Sequence, residues 1–404
     1  MANVSSSNGL EKYPKLRFKG FSEPWIKTPF ANLYRYVSEK NDGSMGVDKI
    51  ISVANMYFKP DARISDEEYL RTYNVFRLGD IAFEGNKSKN FAFGRFVENT
   101  IGDGIVSHVF VVFRPIQSDH NLGYWKYAIN NENVMGRILA RCTKKTTMMT
   151  NLVADDFLEE EMFCPSNAEQ LKISSFLELL ERKIDAQTRL VEHLKKYKRG
   201  VIKEFLNPRT CPIKNAVWSK ATIGELGTFV KGAPLSKADI SDEGTPFILY
   251  GELYTTYGEV INKVVRKTQR SVDNVYLSRS GDVLIPTSGE TPEEISTASC
   301  VMVSGVILAG DLNIFRTSKV DGRIMSYVLN HIVNSNISRI AQGKSVVHIQ
   351  ASEISKISIS YPDENTQQQL ISVFDGISEK ITLAEEALAK MIMLKKSIIQ
   401  KMFI

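Results

Sequence analysis

Gly343-Lys344-Ser345 ends the way a phosphate-binding loop ends, with a lysine to meet a phosphate and a hydroxyl to meet a magnesium ion. That loop needs another glycine five residues ahead of Gly343, and the residue there is Ser338, so the backbone cradle is incomplete. Gly102-Asp103-Gly104 lacks a third glycine and any helical pattern behind it, and reads as an ordinary turn. Asp61 and Glu67, with a lysine nearby, have the residue types of a nuclease metal site, but this composition produces such triples by chance. His108, His120 and His348 have no serine, cysteine or carboxylate at a catalytic spacing. Cys142, Cys164, Cys211 and Cys300 form no C-x-x-C pair, which leaves reduced thiols and no zinc spacing. The Asp-Pro-Pro-Tyr and Asn-Pro-Pro-Phe tetrapeptides of base methylation are absent. These residues do not build a catalytic centre.

Polar loops that recur in both halves carry the residue types that could hold and read a polyanion. Sequence readout takes polar side chains that reach base edges, while phosphates are held by lysine, arginine and backbone N–H groups. Gly-Asp turns at Gly79 and Gly281 are each followed by a short apolar strand and a polar loop. The first loop offers Asn86, Lys87, Lys89 and Asn90, the second Thr287, Ser288 and Gly289. A further loop in each half offers Thr143, Lys144, Lys145 and Thr146, then Gln342, Gly343, Lys344 and Ser345. Arg266 and Lys267, with Lys144, Lys145 and Lys344, are expected to hold phosphates. Each loop alone reads better as solvated surface, and only recurrence in both halves singles these out. The net charge of +5 and pI near 8.8 tilt mildly toward a polyanionic partner.

The elements that position these loops are themselves repeated. PSNAEQLKISSFLELLERKI begins at Pro165 and PDENTQQQLISVFDGISEKI at Pro362, 362 − 165 = 197 residues later. Both open with proline and a short polar cap candidate (Ser166, Asp363), as a helix start requires. Apolar residues then fall at Ile173, Leu177, Leu180, Ile184, Val191, Leu194, Val201 and Phe205. The second series is Leu370, Phe374, Ile377, Ile381, Leu388, Met391, Ile398 and Met402. Steps of four and three make a heptad seam, which an isolated helix would expose, so the two helices are expected to pair. Gln187 and Ala384 interrupt the seam at matching places, as do Lys198 and Lys395. Ahead of each helix lie short β-branched and aromatic runs bounded by Gly, Asn, Asp and Pro, and these read as strands.

At 404 residues, with 43% hydrophobic and 24% charged side chains, the chain has the makeup of a soluble protein of two or three domains. The opening MANVSSSNGLEKYPKLRFKG has no apolar signal core, and no run approaches ~18 apolar residues. A cytoplasmic protein without membrane contact is expected.

Two non-identical domains, each followed by a helix opening P-x-x-x-[ET]-Q, resemble the specificity subunit of type I restriction-modification enzymes. The domain openings at Trp25 and Trp218 and the turns at Gly79 and Gly281 carry the resemblance further, while Thr366 departs from Glu169. It implies an α+β fold with a pseudo-two-fold repeat: two strand-rich, mixed α/β target-recognition domains, 1–164 and 208–361. Two long helices, 165–207 and 362–404, would form an antiparallel coiled coil that sets the gap between two DNA half-sites. Ile173, Leu177, Leu180, Ile184, Leu194, Leu370, Phe374, Ile377, Ile381 and Met391 would serve helix pairing and partner docking. The implied partners are double-stranded DNA, two methyltransferase subunits and restriction or translocase subunits. The chain would carry no cofactor, since S-adenosylmethionine, ATP and Mg belong to the partners. A coiled-coil scaffold without DNA binding, or a specificity module of a related methyltransferase system, is the competing reading.

Overall fold

The computed structural model describes residues 11–64, 67–145, 149–341 and 347–404. Two compact units divide the chain: one runs to Thr188 and takes in Glu386–Ile404, and the other is Arg189–Glu385. Each holds one globular domain, the first half of the long helix that follows it and the second half of the other long helix. The unit boundaries therefore fall inside the helices rather than at their starts.

In the first unit the strands are β1 (Trp25–Pro29), β2 (Tyr34–Val37), β3 (Ile81–Glu84), β4 (Arg95–Glu98) and β5 (Val111–Pro115). Helix α1 (Leu122–Ala128), the hairpin β6 (Thr143–Lys145) and β7 (Thr150–Leu152), β8 (Glu161–Cys164) and the long α2 (Asn167–Phe205) follow. The antiparallel sheet has the order β2-β5-β3-β4, and β8 pairs with β1 at the root of α2.

The second unit repeats this plan. Its strands are β9 (Trp218–Thr222), β10 (Gly227–Lys231), β11 (Thr245–Leu249), β12 (Arg266–Thr268), β13 (Asp282–Pro286) and β14 (Ser288–Gly289). Then come α3 (Pro292–Ile295), β15 (Ser299–Val301), β16 (Leu312–Thr317), α4 (Gly322–His331), β17 (Val347–His348), β18 (Ser358–Pro362) and the long α5 (Glu364–Met402). The shared sheet order is β10-β16-β13-β15, with a short parallel strand added at the β15 edge. Ile81 lies opposite Phe113 and Val283 opposite Phe315, so both members of the pair are displaced by 202 residues (283 − 81 and 315 − 113). That identity of register makes the faint repeat a structural one.

The Gly-Asp turns explain what the repeat conserves physically. Gly79 and Gly281 sit at φ +88° and +94°, which a side chain would strain. The turn buries Asp80 and Asp282, each of which accepts the backbone N–H three residues before it, from Arg77 and Arg279. Arg114 donates to both oxygens of Asp80 at 2.9 Å, and Arg316 Nε donates to Asp282 at 3.2 Å. A buried carboxylate is tolerable only with such a partner, so the ion pair pins the turn to the middle strand.

All sixteen heptad positions of α2 and α5 are buried or half-buried. Within the first unit Lys395 meets Glu181 at 2.7 Å; within the second, Lys195 meets Glu385 at 2.6 Å and Phe205 packs near Phe374 at 6.4 Å. The residue sums, 576, 580 and 579, stay nearly constant, the mark of antiparallel pairing. The seam also enters the domain cores: Ile173 and Leu177 pack with Trp25 and Tyr124, and Leu370, Phe374 and Ile377 with Ile324 and Tyr327.

Candidate nucleic-acid interface

In the first unit the fold brings the two predicted loops together. The β3–β4 hairpin loop carries Asn86, Lys87, Lys89 and Asn90, all exposed. Asn86 bridges to Met149, and Thr150 donates its N–H to Gly85 O at 2.9 Å, so the β6–β7 hairpin with Lys144 and Lys145 lies alongside. Gly85 allows the approach, because a Cβ there would sit 2.2 Å from Thr150 O. Lys144 and Lys145 are exposed, whereas Thr143 is half-buried and donates its hydroxyl to Leu139 O. Thr146 lies outside the described residues.

The second unit joins the same two segments, with Ser288 opposite His348 and Gly289 opposite Val347. Here, however, Thr287, Ser288 and Gly289 are buried. Ser288 Oγ donates to Asp311 at 2.6 Å, and a Cβ on Gly289 would collide with Ile295. These three are therefore structural, because α3 closes over them; they are not an accessible reading surface. Gln342, Gly343, Lys344 and Ser345 lie outside the described residues. Arg266 and Lys267 are exposed on β12, which belongs to a separate three-stranded sheet with β11, and Arg266 Nε donates to Glu252 at 2.9 Å.

The domains are held on their helices by buried polar keys, in which residues of the repeated domain and helix openings are joined by Arg17, which sequence reading did not single out. Arg17 grips Glu169 through two bonds of 2.8 and 2.7 Å, and Trp25 Nε1 donates to the same carboxylate at 3.1 Å. Where the second helix has Thr366, Asp363 takes over: it accepts from Thr366 Oγ1 and from Val217 N, next to Trp218. Gln170 and Gln367 each donate to the carbonyl of the opening proline, at 3.2 and 2.8 Å.

The matched seam lysines form a second key. Lys198 Nζ donates to Glu259 at 2.9 Å and lies 5.4 Å from the Tyr327 ring; Lys395 donates to Glu181 at 2.7 Å and lies 5.4 Å from the Tyr127 ring. Burial pushes Glu259 up, but bonds from His331 and Lys198 more than offset it and hold the carboxyl at about 2. Glu181 is likewise held at about 2, its burial offset by Lys126, Lys395 and Tyr127.

His120 bonds Glu98 at 2.6 Å and stacks on Trp125. Burial lifts Glu98 to about 9 and drops His120 to about 4, so the pair sits uncharged inside the domain. Among the described residues no group of three His, Cys, Asp or Glu could hold a metal, and no helix is long and apolar enough to cross a membrane.

The model of the family described as "Type I restriction modification DNA specificity domain" matches residues 215–391. Among solved structures, the S subunit of a type I restriction-modification system from M. genitalium is 14% identical, with a TM-score of 0.54 over 97% of this chain and 99% of that one. A chain from a structure of type I R-M complex assembly and conformational transition is 16% identical, with a TM-score of 0.59 over 94% of this chain and 97% of that one. No match to a curated protein reaches significance. Residues 215–391 thus match the model of a type I restriction modification DNA specificity domain, and the fold shared with the M. genitalium S subunit runs through both halves of the chain.

Proposed function

We propose that the domains 1–164 and 208–361 each read one half of a bipartite, asymmetric duplex site. The helices 165–207 and 362–404 dock two methyltransferase subunits and set the gap between the halves. The observation that carries this is one sheet, built twice on the same Asp–Arg pair, whose following loops differ in sequence between the two halves. A repeated frame with different loops suits a split site whose halves differ. In the first domain the exposed Asn86–Asn90 and Lys144–Lys145 set supplies amide groups for base edges and lysines for phosphates.

On this reading the chain is a DNA-recognition subunit and not an enzyme, in line with the DNA specificity domain that residues 215–391 match. S-adenosylmethionine, ATP and Mg are assigned to the partner subunits, restriction or translocase subunits would join through them, and the assembly works in the cytoplasm. The seam residues Leu180, Ile184, Leu194 and Met391 are turned inward, which leaves the outward faces of the helices for docking. Exchanging 208–361 for a relative's domain tests the reading. One half of the recognised site should change and the other should not; a change in both, or in neither, would contradict it.

A further inference from the structure

Two buried polar groups of the first domain have no partner among the described residues, and both belong to the wall of one cleft. They are Nδ2 of Asn131 and Oε2 of Glu98, on side chains 8% and 3% exposed. An orphaned buried donor or acceptor is costly and calls for a partner. The other atom of each side chain is already engaged: Asn131 Oδ1 accepts the N–H of Asn133, and Glu98 Oε1 shares a 2.6 Å bond with His120. The sheet does not require the acid. Glu98 lies opposite Ile81, and at the matching register of the second unit Cys300 lies opposite Val283 (283 − 81 = 300 − 98 = 202). The carboxyl belongs to the first domain alone.

The cleft has a volume of 820 Å³, and its lining includes Lys89 of the β3–β4 loop and Lys396 of α5. Neither lysine has a salt-bridge partner among the described residues, whereas Lys126 and Lys395, also in the lining, share the carboxylate of Glu181. Glu98 is uncharged, since burial pushes it up to about 9, which leaves Glu132 as the acid facing these lysines. The balance is positive. Phe91 adds a half-exposed aromatic wall, held by Arg95, whose guanidinium lies 5.2 Å from the ring centre. A ligand that suits this lining has a flat face for Phe91, polar edge atoms for Asn131 and Glu98, and an anionic group for the lysines. A nucleotide has all three.

We propose that this cleft is a site for one nucleotide, its base on Phe91 with its edge to Asn131 and Glu98, its phosphate on Lys89 and Lys396. The nucleotide is either a free one or one turned out of a bound duplex beside the Asn86–Asn90 loop. A paired base is closed in by its neighbours, so a duplex supplies this ligand only by extruding it. The duplex source rests on the reading that this domain binds DNA; the nucleotide chemistry of the cleft does not.

The test has two arms. In the first, the full chain is titrated by calorimetry with the deoxynucleoside monophosphates, with ATP and, separately, with inorganic phosphate. In the second, the chain assembled with its methyltransferase subunit binds target duplexes carrying 2-aminopurine at successive positions, whose fluorescence rises when the base leaves the stack. Asn131→Asp keeps an oxygen for the N–H of Asn133 but removes the free N–H₂ donor, and should weaken nucleotide binding at least about tenfold. Lys396→Ala, at an exposed position, should weaken it by about threefold to tenfold. A fluorescence rise that Asn131→Asp abolishes assigns the ligand to the duplex; monophosphate or ATP binding without such a position assigns it to a free nucleotide. Inorganic phosphate bound as tightly as the monophosphates, unchanged binding in both folded variants, or no ligand in either arm would overturn the site. No DNA binding by the assembly, with nucleotide binding by the chain intact, would instead overturn the reading beneath the duplex source.

Discussion

Removing the charge of Glu259 isolates the energy of one domain-to-helix key. Its carboxylate accepts from His331 Nε2 at 2.8 Å and from Lys198 Nζ at 2.9 Å, and Lys198 is largely buried. The group is held at about 2 in the fold against an ordinary value near 4.5. A depression of that size corresponds to about 2–3 kcal/mol, allowing for the carboxyl's partial exposure. Because the folded value is the lower one, this stability is complete above about pH 4.5 and drains away as pH falls toward 2. Glu259→Gln turns an amide N–H₂ toward one of two donors and leaves Lys198 without a counter-ion, so about the same 2–3 kcal/mol should be lost at pH 7. Hydrogen exchange read by mass spectrometry over α4 localises the effect to the second unit. Protection there should fall by roughly two decades, at ~1.4 kcal/mol per decade. Adding Lys198→Met should restore at least half of it, since an apolar side chain of similar volume needs no partner. The acid slope of stability between about pH 4.5 and 2 should also be shallower in Glu259→Gln. If the double variant is no more protected than the single, or the acid slope is unchanged, the ion pair does not key the domain to its helix.

Lys144→Ala and Lys145→Ala should weaken binding to all DNA sequences alike and lower the log–log salt slope by roughly one unit per lost contact, as read by fluorescence anisotropy across a salt series. Ser288→Ala removes the bond to Asp311 and should cost about 1 kcal/mol in urea unfolding while leaving the recognised sequence unchanged. Asp80→Ala takes the buried carboxylate from Arg114, which keeps its 2.7 Å bond to Glu39, and should cost about 2–3 kcal/mol, visible as a lower melting temperature, whereas neighbouring exposed positions tolerate alanine. Inserting four residues near Lys195–Lys198 adds about 6 Å of helix, close to two base-pair steps, and should lengthen the tolerated gap between half-sites.

The helices were legible because their signal is local. A step of four and three needs only neighbouring residues, and every seam position from Ile173 to Met402 is buried or half-buried. The short β-branched and aromatic runs ahead of each helix were visible too, but the pairing of Arg114 and Arg316 with Asp80 and Asp282 was not. The partners are 34 residues apart, and only the register of β3 with β5 and of β13 with β16 brings them face to face. Thr287–Gly289 were misplaced for a similar reason. Following a Gly-Asp turn and a strand, they matched Asn86–Asn90 by order, yet the helix that starts at Thr291-Pro292 folds back over them. The Thr291–Glu294 capping box was the readable warning, since it promises a helix immediately behind the loop. The substitution of Thr366 for Glu169 weakens the family signature in the sequence but not in the fold, because Asp363 meets the backbone beside Trp218.

The central claim is that two unlike domains on paired helices read two unlike half-sites at a fixed distance. The direct measurement is selection from a random duplex library by the full chain assembled with its methyltransferase subunit, followed by sequencing of the bound fraction. The account predicts one motif, made of two different short sequences separated by an unspecified stretch of constant length. A single continuous motif, two identical halves, a variable gap or no enrichment would contradict it.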